Sequence, residues 1–106
     1  MRIEIKNYSV DVPNDPSRDP YIMLLGPDAS AGTEYRVRLN FAAPTEENTF
    51  SLEQNGDFVN VSMTRDRLQL VIDILRNEKP VFFNWSITSK IAILSTDKEP
   101  VGEGEV

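Results

Sequence analysis

Residues Asp57–Ile87, DFVNVSMTRDRLQLVIDILRNEKPVFFNWSI, carry two hydrophobic periods in succession. Val59, Val61 and Met63 alternate with polar neighbours, the period of two that marks one face of a strand. Leu68, Val71, Ile72 and Leu75 then recur at i, i+3, i+4 and i+7, the spacing of one helix face. Val81, Phe83, Trp85 and Ile87 return to the period of two. The stretch therefore reads as strand, helix, strand with almost no linker. Thr64 is the expected N-cap and Asp66 suits the positive end of the helix dipole, while Arg76, Lys79 and Pro80 mark the helix end. Leu70 and Ile74 widen the apolar stripe to about half the circumference at ~100° per residue, more than packing on one sheet needs. If residues 57–63 and 81–87 shared a sheet through this helix, the connection would be a right-handed parallel crossover.

Working outward, Gln54-Asn55-Gly56-Asp57 is a hairpin turn signal, because Asn-Gly accepts positive φ. A loop of Asn55-Gly56 pairs Leu52 with Val59 and Phe50 with Val61, which puts all four on one face. Beyond the helix, Thr88-Ser89 can close a hairpin that sets Trp85 against Ala92 and Phe83 against Leu94. A three-residue loop would turn Ile91 and Ile93 inward instead, and both registers stay open. Upstream, Tyr35, Val37, Leu39 and Phe41 alternate with Arg36, Arg38 and Asn40, the clearest strand pattern in the chain. Tyr21–Leu25 is an unbroken apolar run expected to be buried on both faces. Ile3 and Ile5 share one face, Val10 and Val12 the other, so a bulge or bend is expected near Asn7-Tyr8-Ser9. Pro13–Pro20 reads as a loop, as do Gly26–Thr33 and Pro44–Asn48. These elements describe a single α+β domain over 1–96. Its mostly antiparallel, curved sheet has about six or seven short strands, with one amphipathic helix between the fifth and sixth strands. Residues 97–106 read as a loose acidic tail.

Composition narrows the chemistry. The chain has 106 residues, enough for one core, with no Cys and no His. Disulfides and thiolate nucleophiles are thereby excluded, together with the commonest general base and transition-metal ligand. No metal or other cofactor is expected, and the reading is non-enzymatic. The net charge of −6 is expected to repel phosphate backbones and argues against nucleic acid. No apolar run approaches the ~20 residues of a membrane helix, and the alternating charges of Met1–Lys6 argue against a signal peptide. A cytoplasmic setting is expected.

Candidate surfaces follow from the pattern. Phe58-x-Asn60-x-Ser62 and Phe82-x-Asn84-x-Ser86 repeat the same outward set on the two strands flanking the helix. Phe58 and Phe82 are candidate interface residues, against the simpler reading that another layer of this chain covers them. Leu70 and Ile74 on the helix flank form the second candidate, against a deep contact within the monomer. Arg36 and Arg38 form a possible ligand face, although the aromatics of their own strand point the other way, and a solvated face is the simpler reading. Asp11, Asn14, Asp15 and Asp19 cluster without an EF-hand spacing and read as turn residues. Ser86, Ser89 and Lys90 lack the geometry of a Ser/Lys pair. Glu46-Glu47 lacks that of a general acid/base pair, and Gly26 and Gly32 do not form a phosphate loop. The Asn-x-Ser triplets at Asn7, Asn60 and Asn84 are expected to be chance.

The closing stretch, an aromatic strand followed by Ser95-Thr96 and then Glu99-Pro100-Val101-Gly102-Glu103-Gly104-Glu105, resembles the ends of a family of small bacterial proteins of unknown function. The resemblance covers the last third of the chain and carries no catalytic motif, so it implies no residue roles. The order of strands, one helix and a final hairpin is also similar to an OB-fold variant, a similarity of topology alone. The function expected from the sequence is a non-enzymatic cytoplasmic interaction or assembly module whose partner is protein, most simply a homo-oligomer. The alternative is a small OB-like domain that binds nucleic acid or a ligand.

Overall fold

The structure is a computed structural model and describes residues 1–27, 34–43 and 51–98. It is an α+β fold dominated by strands, with one α-helix among the described residues. In chain order the elements are β1 (Arg2–Glu4), β2 (Asn7–Asp11), β3 (Tyr21–Pro27), β4 (Glu34–Ala42), β5 (Ser51–Asn55), β6 (Phe58–Thr64), α1 (Leu68–Asn77), β7 (Val81–Ser86) and β8 (Ile91–Thr96). The strands form two sheets, ordered β1-β7-β8 and β2-β3-β4-β6-β5.

This layout corrects the expectation of one sheet of six or seven strands. The N-terminal segment is two strands, one in each sheet, so the helix follows the sixth strand. The bend lies at Ile5-Lys6, just before the position expected from the parity shift. There the Ile5 amide donates to the Val81 carbonyl, and the Lys6 amide to the Leu25 carbonyl, each at 2.8 Å. Successive amides thus bond to different sheets, and the two sheets are joined along one side. Strands β6 and β7 lie in different sheets, so α1 connects the two layers instead of making a parallel crossover. The one parallel pairing among the described strands is β4 with β6.

Both layers turn their alternate residues inward. Ile3, Ile22, Leu24, Val37, Leu39, Phe41, Val59, Val61, Phe83 and Trp85 are buried between them, and Val71 and Leu75 of α1 join this core. Tyr21–Leu25 is not buried on both faces as expected. Ile22 and Leu24 are fully enclosed, whereas Tyr21, Met23 and Leu25 are half-buried on the outer face of the larger sheet. A two-layer fold has nothing beyond that face to cover them. Tyr8 and Val10 stand opposite Leu24 and Ile22 on the inner side of β2, yet each is over a third exposed, because the three-stranded sheet does not reach that edge.

The hairpins settle their registers. Leu52 pairs with Val61 and Gln54 with Val59, so the turn is Gly56-Asp57 and not Asn55-Gly56. The pairing has moved by two residues, which keeps the same side chains inward. Gly56 takes φ 63° at the first central position, where a side chain would be disfavoured. Phe50, expected opposite Val61, lies outside the described residues. In the last hairpin Trp85 pairs with Ala92 and Phe83 with Leu94, so Ile91 and Ile93 face outward. The helix start also differs from expectation. A single 3-10 turn, Arg65–Arg67, precedes α1, and the Thr64 hydroxyl donates to the Asp66 carboxylate instead of accepting from a backbone amide.

Gly26 lies where the N-terminal segment passes between the sheets. A Cβ there would sit 2.3 Å from the Glu4 carbonyl oxygen, a distance that only a backbone shift could relieve. Gly26→Ala is expected to lower stability in urea unfolding by about 1–3 kcal/mol, the cost of overpacking a closed site. Gly56→Ala meets no atom within 4 Å, so its cost of about 1–2 kcal/mol would come from φ alone. A neutral Gly26→Ala would contradict the crossing described.

Candidate functional site

The two sheets are joined at β1–β2 and open at the opposite side, where β8 and β5 are both edge strands. The opening is a groove of about 580 Å³. Leu52 and Val61 line it from the larger sheet, Leu70 and Ile74 from the helix, and Ile91 and Ile93 from the smaller sheet. Leu70 is 56% exposed, Ile91 53% and Ile93 54%. The helix flank singled out from the sequence is therefore one wall of a continuous apolar surface. Among the described residues, Arg67 and Lys90 are the charged members of its lining, and no carboxylate joins them.

Two side chains link the sheets across this opening. The indole Nε1 of Trp85 donates to Gln54 Oε1 at 2.9 Å, and Lys90 Nζ donates to the Leu52 carbonyl at 3.2 Å. Lys90 has φ 59°, the left-handed conformation that often ends a tight hairpin loop. Trp85 also packs edge-on against Tyr35, with ring centroids 5.4 Å apart, and lies 5.6 Å from Phe83. One end of the opening is thus pinned by polar contacts, and the apolar lining stays accessible.

Phe58 and Phe82 do not share a surface. Each is half-buried on the outer face of a different sheet. The Arg36 guanidinium lies 5.3 Å from the Phe58 ring centre, and that of Arg2 lies 3.8 Å from the Phe82 ring centre. Such exposed cation–π contacts contribute about 0.5–1 kcal/mol each. Their chief effect here is to cover the ring with an aliphatic stem and a solvated charge.

The arginine face has neighbours that a single strand's pattern cannot reveal. Tyr35 and Phe41 point inward from β4 as expected, but Tyr21 and Phe58 from adjacent strands share the outer face with Arg36 and Arg38. The Arg38 guanidinium sits 4.0 Å from the Tyr21 ring centre, and its Nε donates to Asn40 Oδ1 at 2.9 Å. Asn40 in turn donates to Asn60 Oδ1 at 2.7 Å. The rings are thus covered by the arginines, which leaves little open aromatic surface for stacking a base. By strand alternation Asp11, Glu34 and Glu53 fall on the same outer face and offset its positive charge.

The remaining candidates resolve locally. The Ser86 hydroxyl accepts from the Ser89 amide at 3.3 Å, while Lys90 is engaged with Leu52, so no Ser/Lys pair forms. Asp19 accepts from Arg65 Nη2 at 2.8 Å, which ties the proline-rich loop to the start of the helix. No group of three or more acidic side chains suited to a metal occurs among the described residues. No helix among them is long and apolar enough to cross a membrane. Glu46, Glu47, Gly32 and the tail from Glu99 onward lie outside the described residues.

Asp15 forms an Asx-type turn. Its carboxylate accepts from the Ser17 amide at 2.9 Å and the Ser17 hydroxyl at 2.8 Å. These bonds favour the charged form, the amide more than the hydroxyl, and hold the carboxyl below its ordinary value of 3.8. With the folded-state value depressed, the contribution to stability is present at neutral pH. It is lost as pH falls through the folded-state value. Ser17→Ala removes the hydroxyl and leaves the amide, so the Asp15 value is expected to move part-way up in a carboxyl NMR titration. An unchanged titration would mean that the hydroxyl bond is absent in solution.

No protein-family model, curated protein or solved structure matches the chain.

Proposed function

We propose that this domain is a non-enzymatic interaction module that receives an extended polypeptide segment along the opening between β8 and β5. The observation that carries this reading is the apolar lining, from Leu70 and Ile74 to Ile91 and Ile93, beside strand edges that are unpaired among the described residues. Edge strands offer backbone donors and acceptors to an added strand, and the flanking apolar side chains supply specificity. Arg67 and Lys90, with no carboxylate beside them among the described residues, favour a segment that combines apolar and acidic side chains. A cluster of exposed apolar residues of this kind contributes little to the stability of the lone chain, which is a reason to look for its role in association.

A random peptide-display selection against the whole immobilised protein tests this reading. Enriched peptides are expected to alternate apolar and acidic residues. Their affinity should fall by about tenfold or more in Leu70→Glu, the loss of a buried anchor at an interface. Leu70→Glu should leave unfolding within about 0.5 kcal/mol of the parent, as for other exposed positions. Failure to enrich any peptide, or binding indifferent to Leu70→Glu, would sink the proposal.

The alternative reading, a nucleic-acid or ligand face at Arg36 and Arg38, has against it that these arginines cover the Phe58 and Tyr21 rings. That reading requires salt-dependent retention on an immobilised oligonucleotide, lost in the Arg36→Glu/Arg38→Glu double variant. The interaction-module reading expects no retention at about 0.15 M salt, where surface charges are screened beyond ~8 Å.

A further inference from the structure

We infer that the proline-rich loop and the outer face of the larger sheet form a binding site for a small phosphomonoester, held by Arg38 and Arg18. The site shares no residue with the opening between β8 and β5, so it stands or falls apart from that reading.

The site is a cavity of about 360 Å³. Strands β3 and β4 supply Tyr21, Arg38 and Asn40 to its lining, and the loop supplies Pro13, Arg18 and Asp19. A cavity of this size suits a small ligand, since ligand pockets span roughly 300–1,000 Å³. The loop is braced at two points. The Arg18 amide donates to the Asp15 carbonyl at 3.0 Å, and Asp19 Oδ1 accepts from Arg65 Nη2 at 2.8 Å.

Arg38 is fixed before any ligand arrives. Its guanidinium lies 4.0 Å from the Tyr21 ring centre, and its Nε donates to Asn40 Oδ1 at 2.9 Å. Asn40 is oriented in turn, because its Nδ2 donates to Asn60 Oδ1 and to the Val61 carbonyl. An arginine carries five N–H donors, and the bond to Asn40 uses one. Among the described residues no acceptor takes the four on Nη1 and Nη2. Ordering a long side chain is a large part of what binding costs, and here the fold has already ordered it. The Tyr21 ring stays covered, and a site built on the guanidinium edge needs no open ring.

Charge selects the class of ligand. Asp19 is the one carboxylate of the described lining, and Arg65 is paired with it. Arg18 and Arg38 are left in excess. Asp15 lies 4.0 Å from Arg18, in an exposed contact that offsets it little. Asp11 pairs with Tyr21 in the sheet but does not line the cavity. Two such cations match a phosphomonoester, which offers three acceptor oxygens and a charge of about −1.5 to −2 at neutral pH. A carboxylate offers half that charge. Arginine also takes phosphate oxygens in pairs, which lysine cannot do.

Titration of the whole protein with inorganic phosphate at constant ionic strength, followed by NMR, tests the inference. The Arg38 Nε–Hε signal and the amides of residues 18–21 are expected to move along one saturable curve. Acetate is expected to bind about tenfold more weakly. Arg38→Lys keeps the charge and loses the paired donors, and is expected to weaken phosphate binding about tenfold. Arg36→Lys, on the same outer face but outside the lining, is expected to leave it unchanged. Asn40→Ala keeps the Arg38 charge and removes the acceptor that orients it, and is expected to weaken binding about threefold. Shifts that never saturate, acetate binding as tight as phosphate, or equal losses in Arg36→Lys and Arg38→Lys overturn the site. Binding indifferent to a folded Asn40→Ala also overturns it, since a diffuse positive surface would behave so. Should Asn40→Ala fail to fold, the contrast between the two lysine variants decides alone.

Discussion

The crossing of the N-terminal segment from one sheet to the other is the constraint on which the rest of the fold depends. Ile5 and Lys6 are consecutive, yet their amides bond to Val81 and Leu25, which belong to different sheets. This handover fixes the spacing of the two layers on one side. It also needs the Glu4 carbonyl to pass over Gly26 at a distance that excludes any side chain. Val71 and Leu75 of the helix complete the core between the layers. Among the described residues no such strand ties the opposite side, which is open between β5 and β8.

The open side is managed by polar contacts at one end and left apolar elsewhere. Trp85 and Lys90 reach across to Gln54 and Leu52, so that the indole nitrogen finds a partner despite its burial. Lys90 reaches the opposite sheet from a hairpin loop that ends in the left-handed conformation, and its charged head remains near solvent. The exposed leucine and isoleucines beyond these contacts have no role in closing the core. The outer faces are treated differently, with arginine guanidinium groups on three aromatic rings. Arginine serves this purpose because its planar group stacks while its charge stays hydrated.

Much of the architecture was legible in residues 57–87. The period of two, then 3.6, then two again identified β6, α1 and β7, because periodicity reports directly which side chains share a face. The inward sets Val59/Val61 and Val81/Phe83/Trp85 followed from the same rule, although Ile87, expected in the second set, lies beyond β7 and is exposed. The Asn55-Gly56 signal located the turn but placed it one residue early, which shifts the pairing by two, since Gly56 serves at the first central site. The strand run Tyr21–Leu25 was misread because apolar composition does not say which face has a neighbour.

The sequence by itself determined the elements, their inward faces and the chemistry excluded by the absence of Cys and His. These are local or compositional properties. Only the tertiary structure decided that the strands divide into two sheets, because strand pairing depends on partners distant in the chain. The same reason hid the placement of Tyr21 and Phe58 beside Arg38 and Arg36, which follows from cross-strand register. It also hid the convergence of Leu70, Ile74, Ile91 and Ile93 on one opening. Among the described residues, the strand crossing between the sheets ties one side, and β5 and β8 border the other.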